Sequence, residues 1–298
     1  MKKYIHIFSA FLIGIIFVSC EKTITIKALP YQDQLSIECL LVPGEEPKLF
    51  LNKSVAYFSA KVNNIDLFIA DASVKISSDG ITDILSPSSE RNAFLCQDEY
   101  FYLGKIKAQM GKTYKLEVTY KGQTYTAETT INQSKPKLNS VDYTQKFNDV
   151  YGEHEGIILN FNDTPNEINN YRFLMVRQVD STVRTANNKV FKTECNGANK
   201  FTVIEVGRSV YSDQNKNGLA MSFVVEPAYT HKQGQTAKVY VQTIDARAAD
   251  FFDALDRQKL ATYNPFVEPV FLKTQIAGCI GVFGSMNISE PIDFVYPE

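Results

Sequence analysis

Histidine is scarce in this chain, with three in 298 residues, and one of them, His6, lies within the first twenty. The two that remain, His154 and His231, stand in no zinc-ligand spacing. Glu153, His154 and Glu155 are adjacent, but the second histidine of an HExxH helix is missing, because position 158 is Ile158. These three read as a solvated loop, and no metal centre is expected. Basic charge is not in excess either. The 31 Lys and Arg face 33 Asp and Glu, a formal net charge of -2, and they are scattered without a basic stripe. That leaves no electrostatic footprint for nucleic acid. Catalytic signatures are absent too: no GxSxG elbow, no glycine loop that would cradle phosphate, and no local motif that nominates a carboxylate pair for glycoside chemistry. The expectation is a protein that is not an enzyme, with no catalytic residues and no cofactor.

Long apolar runs are confined to the start. Lys2 and Lys3 precede the stretch from Tyr4 to Val18, which only His6, Ser9 and Gly14 interrupt. A membrane span needs about 20 apolar residues. This run is shorter and is followed at once by Glu21 and Lys22, so residues 1–19 read as a secretory signal. Ser19 directly before Cys20 resembles the end of a lipobox, although Phe17 stands where leucine is usual. Cys20 is therefore the expected lipidation site, and its acyl chains would hold the protein to a membrane. The expected address is the cell envelope, as an outer-membrane lipoprotein on either the periplasmic or the surface face. Residues 20–33 follow as a tether.

The remainder has the composition of a folded protein, 44% hydrophobic and 21% charged, and its length suggests two domains. In QLSIECLLV, residues Leu35, Ile37, Cys39 and Leu41 share one face of an extended strand by the period of two. Val74 and Ile76 alternate with polar neighbours ahead of an Asp79-Gly80 turn, and Tyr114, Leu116 and Val118 alternate ahead of Lys121-Gly122, both hairpin signals. The polar stretch before residue 93 reads as a loop. Short strands at regular spacing argue that 34–131 is an immunoglobulin-like β domain, an antiparallel sandwich that the pattern does not separate from a barrel. The polar segment NQSKPKLNS, 132–140, reads as a linker. Residues 141–298 form a second β-rich domain, in which Ala248, Phe251, Phe252 and Leu255 recur at helical spacing. They mark one amphipathic helix near 246–260 that caps a sheet edge. The fold class expected is mainly β, with two β-sandwich-like domains.

Besides Cys20, four cysteines are candidate disulfide partners: Cys39, Cys96, Cys195 and Cys279. Two per domain suggests Cys39 with Cys96 and Cys195 with Cys279. The alternative is that they pack as small apolar groups, which the strand face of Cys39 favours. Asp213, Asn215, Asn217 and Gly218 match the first half of a calcium loop, but Val224 stands where the bidentate glutamate belongs, so a polar turn is the preferred reading.

ASVKI followed by GKTYKLEV, Asp163 and Pro165 ahead of NYRF, YSDQNKNG, and the ending NPFVEPVFLKTQIAGCIGVFG together resemble a family of Bacteroidota lipoproteins known as domain of unknown function 4249. Cys279 departs from it, standing where that family tends to have a second glycine. The resemblance implies a first domain of immunoglobulin-like or carboxypeptidase-regulatory-like type. It also implies a genomic association with TonB-dependent receptors, and hence a β-barrel receptor as partner. Three readings of function follow: an accessory or binding lipoprotein beside such a receptor, an extracytoplasmic hydrolase of glycan or peptide, or a structural or adhesive surface module. The ligand is not readable.

Overall fold

The computed structural model describes residues 31–55, 62–93, 95–149, 152–180, 200–207, 210–263, 270–272 and 274–297. The expected signal segment, Cys20, most of the tether and Cys195 lie outside them. Asp33–Glu298 forms one compact unit, and it is mainly β. Its first half carries β1 (Leu35–Leu41), β2 (Lys48–Lys53), the short helix α1 (Asn64–Leu67), β3 (Ser73–Ser78), β4 (Ile81–Asn92), β5 (Gln97–Leu103), β6 (Thr113–Tyr120) and β7 (Gln123–Thr130). The second half carries β8 (Lys137–Asp149), β9 (Gly152–Asn162), β10 (Asn170–Asp180), β11 (Lys200–Val206), β12 (Tyr211–Ser212), β13 (Ala220–Val225), β14 (Thr236–Ile244), helix α2 (Ala246–Tyr263), β15 (Ile280–Ile288) and β16 (Ile292–Val295).

Local chemistry explains the hairpins. Asp79 and Gly80 both have positive φ, as do Lys121 and Gly122, the two-residue geometry whose twist matches that of the flanking strands. The alternating residues of β1 and β3 face one core, in which Ile37, Cys39, Leu41, Leu49 and Leu51 pack with Val74, Ile76, Leu116 and Val118. The polar stretch expected as a loop is instead the second half of β4. Its residues 81–85 pair with β3, and 86–92 pair with β5. Pro87 stands just past the changeover, where the strand leaves one partner for the other. A strand that switches partners in this way forms the corner of a sandwich-like layer pair. Its second half is mostly exposed, so no apolar alternation marks it.

A second core lies between the three-stranded sheet β13-β9-β8 and the strands β10, β14 and β16. Ile157, Leu159, Phe161 and Phe223 there meet Tyr171, Phe173, Val239, Val241 and Phe294. Of the segment 132–140 expected as a linker, residues 137–140 belong to β8, and Leu138 is buried in the second core.

The two halves share a sheet. Its strand order is β11-β10-β14-β15-β1-β2-β5-β4-β3-β6-β7, and the join is a parallel pairing of β1 with β15, in register from Ser36↔Ile280 to Leu41↔Ser285. A parallel neighbour demands a long crossover, and here nearly the whole chain supplies it. The pairing requires Gly281: a Cβ there would run into the carbonyl oxygen of Ile37. Helix α2 covers the face of this join, with Ala248, Ala249, Phe251 and Phe252 packed around Val282 and, less buried, Leu40. The helix and its buried aromatic pair match expectation; its place is over the middle of the sheet and not at an edge. No helix among the described residues is long and apolar enough to cross a membrane.

The suggested pairings, Cys39 with Cys96 and Cys195 with Cys279, do not form. Cys39 and Cys279 are free and buried, both inside the first core, where loss of solvent pushes the Cys39 thiol well up and Cys279 to about 11. The small-apolar reading therefore holds for these two. Cys96, in the turn between β4 and β5, is disulfide-bonded.

Two outcomes follow. Gly281→Ala is expected to cost about 3 kcal/mol or more in urea denaturation, since backbone cannot retreat from the added methyl. Gly234→Ala meets nothing within 4 Å and should cost only the backbone strain of its positive φ, about 1 kcal/mol; equal losses would disprove the close-approach argument. Thiol mapping should alkylate Cys39 and Cys279 without reductant, but only after denaturation, while Cys96 should require reduction.

Candidate functional site

The join of the two halves is polar where it leaves the cores. Asp245 ends β14 and caps α2: its Oδ1 accepts the N–H of Ala248 at 2.9 Å, satisfying one of the free amides of the first turn. Its Oδ2 accepts the N–H of Ser285 at 2.6 Å. Gly284 makes room for this carboxylate, since a Cβ there would stand 2.5 Å from Asp245 Oδ2. Ser285 is fully buried, and its hydroxyl lies 2.8 Å from Gln133 Oε1 and 3.1 Å from the Thr130 carbonyl. Asn287 donates to the Gln133 carbonyl, and Thr243 donates to the Ser134 carbonyl. The segment expected as a free linker is thus tied at 130–134 to β14 and β15. Burying this many polar groups is tolerable because they satisfy one another.

Above this seam lies a groove of about 540 Å³, lined by Thr129, Gln133, Glu167, Asn169, Asp245 and Arg247 among others. Sites at the junction of two packed halves are a common place for ligands. The groove offers both signs of charge. Glu167 receives the Ser134 hydroxyl at 2.7 Å, and Arg247 donates to the Glu128 carbonyl. Ile168, 77% exposed, supplies an apolar rim. Both oxygens of Asp245 are taken by backbone N–H groups, so its task is to hold the helix.

Behind the groove wall is a buried acid pair. Asp163, at the end of β9, accepts the Gly218 N–H on Oδ2 at 2.6 Å and the Tyr171 hydroxyl on Oδ1. Asp213, after β12, is fully buried and lies against Asp163 within hydrogen-bond reach; burial first, and the Asp163 charge after it, push its carboxyl up. Asn217 clamps the wall from the same loop, accepting the Asn166 N–H at 2.8 Å and donating to the Glu167 carbonyl. Its side chain is therefore spent on the turn, as the polar-turn reading of DQNKNG expects.

The histidines lie elsewhere. Glu153, His154 and Glu155 belong to β9, so the expected loop is a strand. His154 Nδ1 is 3.5 Å from Glu226, and His231 Nδ1 is 3.5 Å from Glu155. Neither histidine borders the groove. His231 stacks on Tyr296 with ring centroids 4.0 Å apart, with Tyr143 edge-on. Beside it, the fully buried Arg177 grips Glu205 through Nε and Nη2 at 3.0 and 2.9 Å and donates to the carbonyls of Tyr229 and Thr230. Burial pushes the Glu205 carboxyl up against the pull of Arg177. This ion pair pins the 229–235 loop to the sheet, and nothing in the local sequence announced it.

Burial holds the His231 imidazole below its usual value of 6.5; Glu155 opposes this and the Arg177 guanidinium reinforces it. A base with a lowered folded pKa contributes stability above its unfolded pKa and loses it as pH falls toward the folded one. The melting temperature should therefore drop on acidification below about pH 6.5. His231→Phe, which keeps the stack on Tyr296 but cannot titrate, should show a shallower drop by circular dichroism; identical profiles would refute the assignment.

Comparison with known protein families matches residues 21–291 to one described as a domain of unknown function (DUF4249). No curated protein matches the chain. The match spans both cores, the join at Gly281 and the groove, and the chain belongs to the domain of unknown function family DUF4249.

Proposed function

We propose that the protein is a lipid-anchored, extracytoplasmic binding lipoprotein of the outer membrane that works beside a TonB-dependent β-barrel receptor. The seam groove is its recognition surface. The observation that carries the binding role is this groove of about 540 Å³, with Glu167 and Arg247 presented over a satisfied polar floor. A preformed polar concavity recognises a small polar ligand or a partner's polar loop without rearrangement. Anchorage rests on Lys2, Lys3, the apolar run and Ser19-Cys20 in the sequence. The receptor association comes from the resemblance to Bacteroidota lipoproteins.

A hydrolase is the second reading. It would need a carboxylate pair, or a carboxylate with histidine, facing a cavity. The carboxylates of the groove are engaged by Ser134, Ala248 and Ser285, and the His231–Glu155 and His154–Glu226 contacts do not border it, so binding is preferred. A structural or adhesive module would have no use for a groove of this kind.

The full chain, tagged and extracted in mild detergent, is expected to sediment with envelopes and to co-purify with a β-barrel receptor. Cys20→Ser should release it to the soluble fraction and abolish the co-purification. Unchanged envelope retention of the variant would defeat the anchor, and purification of the wild type with no receptor would defeat the partnership.

A further inference from the structure

The first core is open at one end, beneath the tip of the β3–β4 hairpin. On the face that this hairpin turns to the core, three cross-strand pairs follow one another: Val74 with Leu85, Ile76 with Asp83, and Ser78 with Ile81. The first pair is buried and wholly apolar. Each of the next two places a polar group where the alternation calls for an apolar one, and Ile81, on the same face, is 61% exposed. Pro47, Ile106 and Tyr114 stand opposite and complete a pocket of about 140 Å³, on the order of a cavity that takes one benzene ring.

Two oxygens of this pocket lack partners. Asp83 is 6% exposed. Its Oδ2 accepts the N–H groups of Lys105 and Ile106 at 2.7 and 2.8 Å, and no hydrogen bond among the described residues reaches Oδ1. Neither lysine of the rim pairs with it: Lys112 is bound to Asp79, and Lys107 forms no ion pair. Ser78 Oγ is buried and has no hydrogen-bond partner. Pinning the turn at 104–106 takes only Oδ2 of Asp83, so a carboxylate buried for that task alone leaves its second oxygen in deficit. The pocket thus offers acceptors and aliphatic walls. An ammonium group brings three donors and no acceptor, whereas the flat fork of a guanidinium wants two paired oxygens. Ile76, Pro47 and Ile81 would cover a methylene stem behind the ammonium.

We propose that this pocket receives a lysine side chain of a partner polypeptide, its ammonium meeting Asp83 and Ser78 and its stem lying on the aliphatic walls. A polypeptide is favoured over a free amine by the mouth. The volume holds one side chain, and the apolar collar of Ile81 and Ile106, the latter 41% exposed, is covered only by a ligand that continues beyond it. The pocket is separate from the seam groove and stands whether or not that groove binds a ligand.

Saturation-transfer NMR on the full chain, with the blocked peptide acetyl-Gly-Lys-Gly-amide as probe, tests this. The lysine methylenes should take up saturation, and titration should give a dissociation constant on the order of 1 mM, as suits a single anchoring side chain. The norleucine analogue, of like shape but without the ammonium, should bind at least about tenfold more weakly. Asp83→Asn, whose amide oxygen can still accept the Lys105 and Ile106 amides, should lose at least about tenfold in affinity for the lysine peptide. Should that variant not fold, Ser78→Ala carries the test: it removes a hydroxyl without a partner, so it should melt no lower than the wild type yet bind the lysine peptide about fivefold more weakly. Absence of saturation transfer to the lysine peptide overturns the proposal, as does equal binding of the norleucine peptide or an affinity unchanged in folded Asp83→Asn or in Ser78→Ala. Binding of n-butylammonium without binding of the peptide would assign the pocket to a free amine and overturn the docking.

Discussion

Everything in this architecture hangs on one backbone contact, that of Gly281 against Ile37. Hydrogen-bonded sheets run through both halves of the molecule, and among the described residues their strands connect through the parallel ladder of β1 and β15. A parallel ladder between strands from opposite ends of a chain gains nothing until the crossover between them is ordered, so its loop-closure entropy is borne late and by the whole structure. The residue at the contact has to be glycine for reasons of space. Once the ladder forms, the order of side chains along β15 does the rest. Val282 turns toward α2, Phe283 enters the first core, and Ser285 and Asn287 enter the polar seam.

The seam has a different physical character from the cores on either side. The cores are large, apolar and tolerant of exchange among similar shapes. The seam is a set of mutually satisfied hydrogen bonds among Gln133, Ser285, Asn287, Thr243 and Asp245, and such a set has few alternative arrangements. It fixes where α2 starts, and with it the position of Arg247 and the mouth of the groove. The Arg177–Glu205 pair does the same beside the second core, holding the loop that carries His231 onto Tyr296. Groove and loop are thereby positioned by polar geometry, and stability comes from the apolar layers beneath.

Much of the local structure was legible in the sequence. The alternation in β1, β3 and β6, the turns at Asp79-Gly80 and Lys121-Gly122, and the helical spacing of Ala248, Phe251, Phe252 and Leu255 are short-range patterns, and the structure has each of them. The second half of β4 was not legible, because neither face of that strand is steadily buried and alternation reports burial, not pairing. The linker was misread in its second half for a related reason: of residues 137–140 only Leu138 is buried, and one apolar position shows no alternation.

The sequence alone determined the mainly β class, the hairpins, the helix and the inward packing of Cys39, since each follows from neighbours within a few residues. Tertiary structure alone decided that the two halves share one sheet, that Cys39 and Cys279 are kept apart from any bridge, that Asp163 meets Asp213, and that a groove opens at the seam. These depend on which distant segments touch. Periodicity carries the direction of a side chain but not the identity of what it will face.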